Sequence, residues 1–443
     1  MSRSSMLEAW SATAQLAPAA IALVDIATGR RFTRADVEDA AEAWAQPHRE
    51  QLTGQIVAIA EPNGVDWLRA CIGTLKCGGV IAPLDPGEPL DAQRSTATQI
   101  GAAVLVRGGE IVELSSVRRP KRSKGRLIKL TSGSTGAPRA LLFTDAEMLA
   151  DGRHICAGME IRPDDLNVGV IPWGHSYGLG NLVMPLLLQG TGILFGSAPL
   201  PHAIAADIER WKPTVFPAVP ALLRALAESS VPPEQLASLR TIISAGAPLS
   251  AEVARAFSER FQRRVHSFYG SSETGGISYD RSGESALLGR GVGQPLPGVQ
   301  LEFGRGGRFV VASDAVFTCR NRRPGRHRMP DIARLDTSGE LVLLGRAGRF
   351  VKIAGRRLNL AEVEQALKQV PGVHDALVAS HAERADALAA AVATDRPGPE
   401  IRDALRDRLA PWKIPKKLLT LSAFPLTSRG KTDTQKIRTL LAG

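Results

Sequence analysis

Nine residues, Thr131 to Arg139 (TSGSTGAPR), bring together two glycines, four hydroxyl side chains and one guanidinium. Glycines let a backbone approach a ligand closely and turn its N–H groups inward. The hydroxyls of Thr131, Ser132, Ser134 and Thr135 add donors, and Arg139 adds a fixed positive charge. This is the chemistry of a phosphate cradle. A flexible linker has a similar composition, and the loop by itself leaves both readings open. The GxxxxGK[ST] spacing of a P-loop is absent. The four cysteines, Cys71, Cys77, Cys156 and Cys319, show no CxxC spacing and no paired histidines. They read as free thiols of a reducing cytoplasm rather than as metal ligands.

The elements around the loop alternate. Gln55 to Asn63 reads as a strand entering a turn. Val65, Leu68, Ile72 and Leu75 recur at helical spacing, and CGGVIAPLDP then gives a glycine stop, a short apolar strand and a proline turn. Leu127 to Leu130 predicts a strand feeding the loop, with a helix beyond it capped by Asp145. PTVFPAVP, PALLRALAE, LRTIISAG and SAEVARAFSERF continue the strand–helix alternation. The pattern predicts an α/β fold: a large N-terminal domain of sheets covered by helices. Beyond Gln294 the texture becomes β-rich, with LEFGRGGRFVVAS and GELVLLGRAGRFVKIAG as hairpin-like segments. NLAEVEQALKQV, DALVAS and IRDALRDRLA then predict a small α+β C-terminal domain. The boundary is placed between Gly345 and Arg349, giving domains of 1–346 and 347–443.

A chain of 443 residues has room for such a division. Its net charge of +11 raises nucleic acid as a partner. However, the basic concentrations VRRPKRSKGR (from Val117) and RNRRPGRHR (from Arg320) lack interleaved aromatics, so they read as solvated loops or as attraction for an anionic partner. From Leu166 to Ala206 there is no Asp, Glu, Lys or Arg. Prolines, glycines, His175 and Asn181 interrupt this stretch, which reads as a buried wall and not a membrane span. The N-terminus does not read as a signal peptide.

Read in order, the motifs resemble the adenylate-forming superfamily of acyl-CoA synthetases, peptide-synthetase adenylation domains and firefly luciferase. TSGSTGAPR is similar to the signature TSGSTGxPK. SAGAPLS (Ser244 to Ser250), FYGSSETGG (Phe268 to Gly276), PDIARLD (Pro330 to Asp336), GRAGRFVKIAGRRLNLAEVE (Gly345 to Glu364) and PLTSRGKTDTQKI (Pro425 to Ile437) follow in the family's order. The resemblance runs from about Ala20 to the C-terminus. It implies that a carboxylate attacks the α-phosphate of ATP to give an acyl-adenylate and pyrophosphate, and that a thiol then takes the acyl group.

The same resemblance implies the roles. Thr131, Ser132, Gly133, Ser134, Thr135, Gly136 and Arg139 would hold the ATP phosphates, with Arg139 where the family usually has Lys. Glu273 would hold Mg²⁺ against them, as a hard carboxylate oxygen suits. Ala245, Gly246, Ala247 and Pro248 would form the purine slot, and Tyr269 would stack on adenine. Gly270, Ser271 and Ser272 would continue the nucleotide site, Ser272 replacing the common Thr. Asp331 would accept from the ribose hydroxyls, with Arg346 nearby. Lys431 would face the carboxylate and α-phosphate during adenylation. Lys352 would face the site after the C-terminal domain rotates, with Gly355 lining the thiol tunnel. Gly348 stands at the pivot, where the family commonly has Asp or Lys.

His175, Tyr177, Gly178 and Gly270 are the implied substrate contacts. Amino-acid-activating relatives usually carry an aspartate near His175, and PWGHSYGLGNLVMPLLLQG has no acidic residue. The expected substrate is therefore an apolar carboxylic acid, fatty before aryl. An alkyl or aryl tail gains roughly 0.8 kcal/mol per buried methylene in such a wall. Coenzyme A or the phosphopantetheine arm of a carrier protein would be the acceptor. An aryl-acid ligase and a non-catalytic nucleotide-binding or carrier-docking protein are the alternatives.

Overall fold

The computed structural model describes residues 5–114, 125–131, 139–318, 325–346, 350–353, 356–381, 387–406, 408–427 and 432–442. Two compact units emerge. One comprises the chain to Glu302 with Val311–His327 and Gly339–Leu341; the other comprises Phe303–Val310, Arg328–Ser338 and Val342–Gly443.

Two sheets build the first unit. The six-stranded sheet runs Glu110–Glu113, Val104–Arg107, Ile56–Ile59, Val80–Pro83, Gly125–Thr131, Arg139–Thr144 in spatial order. Its central strands pair parallel and its two edges pair antiparallel. Helix Val65–Lys76 makes the crossover between Ile56–Ile59 and Val80–Pro83, and buries Leu68, Ile72 and Leu75 as their spacing requires.

The nine-stranded sheet has six adjacent parallel strands: Val265–Ser271, Thr241–Ser244, Val215–Ala218, Leu166–Val168, Gly192–Phe195 and Ile21–Asp25. Both faces of such strands are covered, so Val215–Ala218 and Gly192–Phe195 are buried at every position. The uncharged stretch after Leu166 folds as that strand, a short helix Ser176–Gly178, a π-helical turn Leu179–Val183 and helix Met184–Gln189. No described helix is long and apolar enough to cross a membrane.

The second unit holds the antiparallel pair Phe350–Ile353 and Arg356–Asn359. It also holds a three-stranded sheet of Val373–Ser380, Leu388–Thr394 and Lys417–Leu421. Helices Leu360–Lys368 and Gly398–Arg406 pack their apolar faces on it through Val363, Leu367, Ile401 and Leu405.

Candidate functional site

In a parallel sheet the loops at the carboxyl ends of the strands open a crevice for ligands. The nine-stranded sheet delivers three of the predicted motifs to that edge. Thr241–Ser244 leads into Ala245, which is buried, and then into Gly246, Ala247 and Pro248, which are exposed. Gly246 has φ +86°, a conformation that suits glycine. Val265–Ser271 carries half-buried Tyr269 and exposed Gly270. Leu166–Val168 leads into the acyl segment with His175, Tyr177 and Gly178.

The turn between Val265–Ser271 and the antiparallel Gly275–Tyr279 presents Ser272 and Glu273 at its tip. It is closed by Ser271: the Thr274 N–H donates to Ser271 Oγ at 3.2 Å, and the two hydroxyls lie 3.0 Å apart. Gly270 permits this closure, because a Cβ there would come 2.7 Å from the Gly275 carbonyl oxygen. The Glu273 carbonyl accepts from the Phe317 N–H at 2.8 Å, which anchors the main chain and leaves the half-buried carboxylate for other partners.

The acyl segment is tied to this edge at several points. Ser176 Oγ donates to Ser272 Oγ at 2.9 Å. The Tyr177 hydroxyl lies 3.3 Å from the Ala218 carbonyl and 3.1 Å from the Ile243 carbonyl, at the ends of two adjacent strands. Burial pushes this phenol well above its ordinary range, so it stays a neutral donor. Gly178 is required by packing, since a Cβ there would lie 2.1 Å from the Pro172 carbonyl oxygen. His175 sits at the N-terminal cap of the short helix, half-buried.

Asn63 is a positioning residue that sequence reading left as part of a turn. Its amide donates to the carbonyls of Gly169 at 3.0 Å and Ile171 at 2.9 Å, while its carbonyl accepts from the Trp173 N–H at 2.9 Å. One side chain therefore clamps the main chain on both sides of Pro172, more than a hundred residues away. Only its place in an EPN turn after a buried strand hinted at a role.

The phosphate-loop motif lies on the other sheet, and its setting differs from the expected strand–loop–helix. Gly125–Thr131 and Arg139–Thr144 pair antiparallel, with Thr131 opposite Arg139. The loop thus closes a hairpin, and the helix Asp145–Met159 begins only after the second strand. Its cap is Thr144, which forms a reciprocal capping box with Glu147; Asp145 is the first helical residue and accepts from the Met6 N–H instead. No helix N-terminus follows the loop directly. Ser132, Gly133, Ser134, Thr135 and Gly136 lie outside the described residues; Thr131 and exposed Arg139 are its two described ends.

Beneath this hairpin lies a buried charge that sequence reading missed. Lys129 and Asp151 are each only 2% exposed, with Nζ 3.6 Å from Oδ2. Nζ has no described polar partner closer than this and sits 4.3 Å from the centre of the Phe143 ring. Burial pulls the Lys129 ammonium below its ordinary range, while Asp151, Glu147 and Glu273 draw it back up. A lysine inside the apolar run RLIKLT was the available signal.

Asp331 lies half-buried in strand Arg326–Leu335. Arg346 ends strand Leu341–Arg346, and Lys352 lies opposite Arg357 in its strand pair; only their main chains are described. Lys431, Gly348, Gly355, Cys319 and most of the two basic runs fall outside the described residues. Among the described residues no three His, Cys, Asp or Glu side chains converge as a metal cage. The Glu273 carboxylate is an oxygen ligand of the kind that would suit a magnesium ion.

Parallel strands end here in a glycine turn and a hydroxyl–carboxylate tip, and a hydroxyl-rich sequence joins the two strands of the other sheet's hairpin. The model of the AMP-binding enzyme family matches residues 10–129 and 110–303, and that of the AMP-binding enzyme C-terminal domain matches 362–431. The chain belongs to this family of adenylate-forming enzymes, the AMP-forming acyl-CoA synthetases and ligases. It is similar to feruloyl-CoA synthase of an Amycolatopsis species, 26% identical across an alignment that covers 87% of this chain and 88% of that one. It is also similar to phosphinothricin tripeptide synthetase PhsC of Streptomyces viridochromogenes, 26% identical across an alignment that covers 94% of this chain and 43% of that one. The fold matches ATP-bound MatB from Rhodopseudomonas palustris with a TM-score of 0.85, covering 99% of both chains at 21% identity.

Proposed function

We propose that this enzyme joins an apolar carboxylic acid to ATP as an acyl-adenylate and then passes the acyl group to the thiol of coenzyme A. The observation that carries this is the acyl segment. It holds no charged side chain, and Ser176 bonds it directly to the hydroxyl beside Glu273. The segment itself offers an ammonium-bearing substrate no carboxylate. Within the apolar acids, the feruloyl-CoA synthase relative favours an aryl acid of the cinnamate or benzoate type. The length of the uncharged wall favours a fatty acid as the second reading.

In the first half-reaction a carboxylate oxygen bonds to the α-phosphorus and the bond to pyrophosphate breaks. In the second a thiol takes the acyl carbon and AMP leaves. Charge shifts at phosphorus, so the protein's part is to hold oxygens in place and offset their repulsion. Magnesium, when bound with ATP, supplies a charge that draws the phosphates together. In this reading Glu273 holds that ion, Thr131 to Gly136 with Arg139 hold the phosphates, and Asp331 and Arg346 hold the ribose. Tyr269 and the turn Ala245 to Pro248 hold the purine. Lys431, on a moving domain of residues 347–443, meets the carboxylate; Lys352 serves the thiol step. The carrier-protein acceptor is supported by the likeness to a peptide synthetase. A cytoplasmic location accords with a coenzyme A substrate.

The test is pyrophosphate release with Mg-ATP across fatty acids, benzoates, cinnamates and amino acids, with coenzyme A or hydroxylamine as acceptor. Release confined to one apolar class supports the reading and names the substrate. A peak among amino acids overturns it.

A further inference from the structure

Asp151 lies where three segments of the site meet. Its Oδ2 faces Lys129, on the strand that enters the phosphate hairpin. Its Oδ1 accepts from the Gly276 N–H at 2.9 Å, on the strand that leaves the Glu273 turn. A Cβ added to Gly180, in the acyl segment, would lie 3.7 Å from Oδ2. The fit to the Glu273 turn is close: Gly275 has φ +70°, and a Cβ there would come 2.2 Å from Oδ1. The neighbouring contacts join the same pieces. Phe143, beneath Nζ, packs on Phe317 with ring centroids 5.6 Å apart, and the Phe317 N–H holds the Glu273 carbonyl.

As a stabilising device this pair is poor. Both charges leave water almost completely, which costs several kcal/mol for each ion and needs close hydrogen bonding in return. Here the ammonium has one long contact to its partner, at 3.6 Å, and no other described polar partner within 3.5 Å. A neutral, apolar replacement of similar volume would hold the core at least as well. What the charges add is placement. A cation on the hairpin strand finds its nearest countercharge on the side chain that also grips the Glu273 turn.

We propose that Lys129 and Asp151 are positioning residues which set the phosphate hairpin and the Glu273 turn at the separation that Mg-ATP requires. This rests on the adenylating role of the site and adds residues to it that touch no substrate. Lys129 and Thr131 share one face of their strand. A shift of Lys129 therefore moves the first residue of the hairpin loop with it.

The decisive variant is the double substitution Lys129→Met with Asp151→Asn. It keeps both volumes, removes both charges and retains an oxygen to accept from Gly276. It is compared with the wild type in thermal unfolding and in pyrophosphate exchange with the wild type's own acid. The expected result is a melting temperature close to the wild type's, a KM for Mg-ATP raised about tenfold or more, and an unchanged KM for the acid. Wild-type kinetics in the folded double variant overturn the proposal, and so does a rise in both KM values together. Failure of the double variant to fold also overturns it, because the pair would then be a stability element. Failure of the adenylation reading itself shows separately, as a wild type that exchanges no pyrophosphate with any acid.

Discussion

Two ion pairs in the first unit, one half-buried and one fully buried, are built to opposite standards. Asp165 and Arg240 meet at 2.6 Å. The Asp165 carboxylate also accepts from the Thr214 hydroxyl and the Arg162 N–H, each at 2.7 Å, and Arg240 also donates to the Glu160 carbonyl at 3.1 Å. Arg240 keeps 32% of its side chain in contact with solvent. Lys129 and Asp151 are drier and further apart, at 3.6 Å. The first pair lies at the amino end of Leu166–Val168, where it fastens a loop. The second lies beneath the hairpin and the Glu273 turn. The close pair fastens a loop; the looser pair is the one proposed to align two segments of the site.

The comparison breaks or sharpens at single sites. Lys129→Met leaves the Asp151 carboxylate buried and unpaired and is expected to cost about 3–5 kcal/mol in urea unfolding. Arg240→Met leaves Asp165 with two other donors and should cost less, about 1–3 kcal/mol. Equal losses would erase the distinction between the pairs. Gly275→Ala comes next. A methyl at this left-handed position displaces Asp151 from the Gly276 N–H. It should lower pyrophosphate exchange about tenfold with the fold intact; an unaffected rate would show that the turn tolerates the shift.

Ser176→Ala removes only the donor to Ser272. A loss of about two- to tenfold in adenylation rate is expected, matching one hydrogen bond, with unfolding unchanged. The smallest effect concerns thiols. Burial pushes Cys71 and Cys156 up to about 12, so little thiolate forms at pH 8. Neither should be alkylated in the native protein, and both should be once it is unfolded in denaturant.

Much of this architecture was legible because its signals are local. Val65 to Lys76 shows its helix in the spacing of Leu68, Ile72 and Leu75, and the family motifs stand in order along the chain. Other features depend on contacts that no local pattern encodes. LAAAVAT, the buried central strand Leu388–Thr394, is mostly alanine, whose own preference is helical; pairing on both sides and burial at every position override it. Arg139–Thr144 went unread as a strand because the loop before it suggested a helix start. Asn63 and Asp151 act across more than a hundred residues, on Ile171 and on Gly276, so neither role was visible from its neighbours. Lys129 was visible as an anomaly, but its partner was not.

The most direct test is mass detection of the adenylate itself. With enzyme in excess over ATP, magnesium present and no thiol acceptor, the quenched reaction is searched for the mass of each acid joined to AMP. The account predicts an acyl-adenylate from an apolar acid, and its loss in Lys431→Ala while ATP still binds. Bound ATP with no adenylate from any acid, or undiminished adenylate in Lys431→Ala, would contradict it.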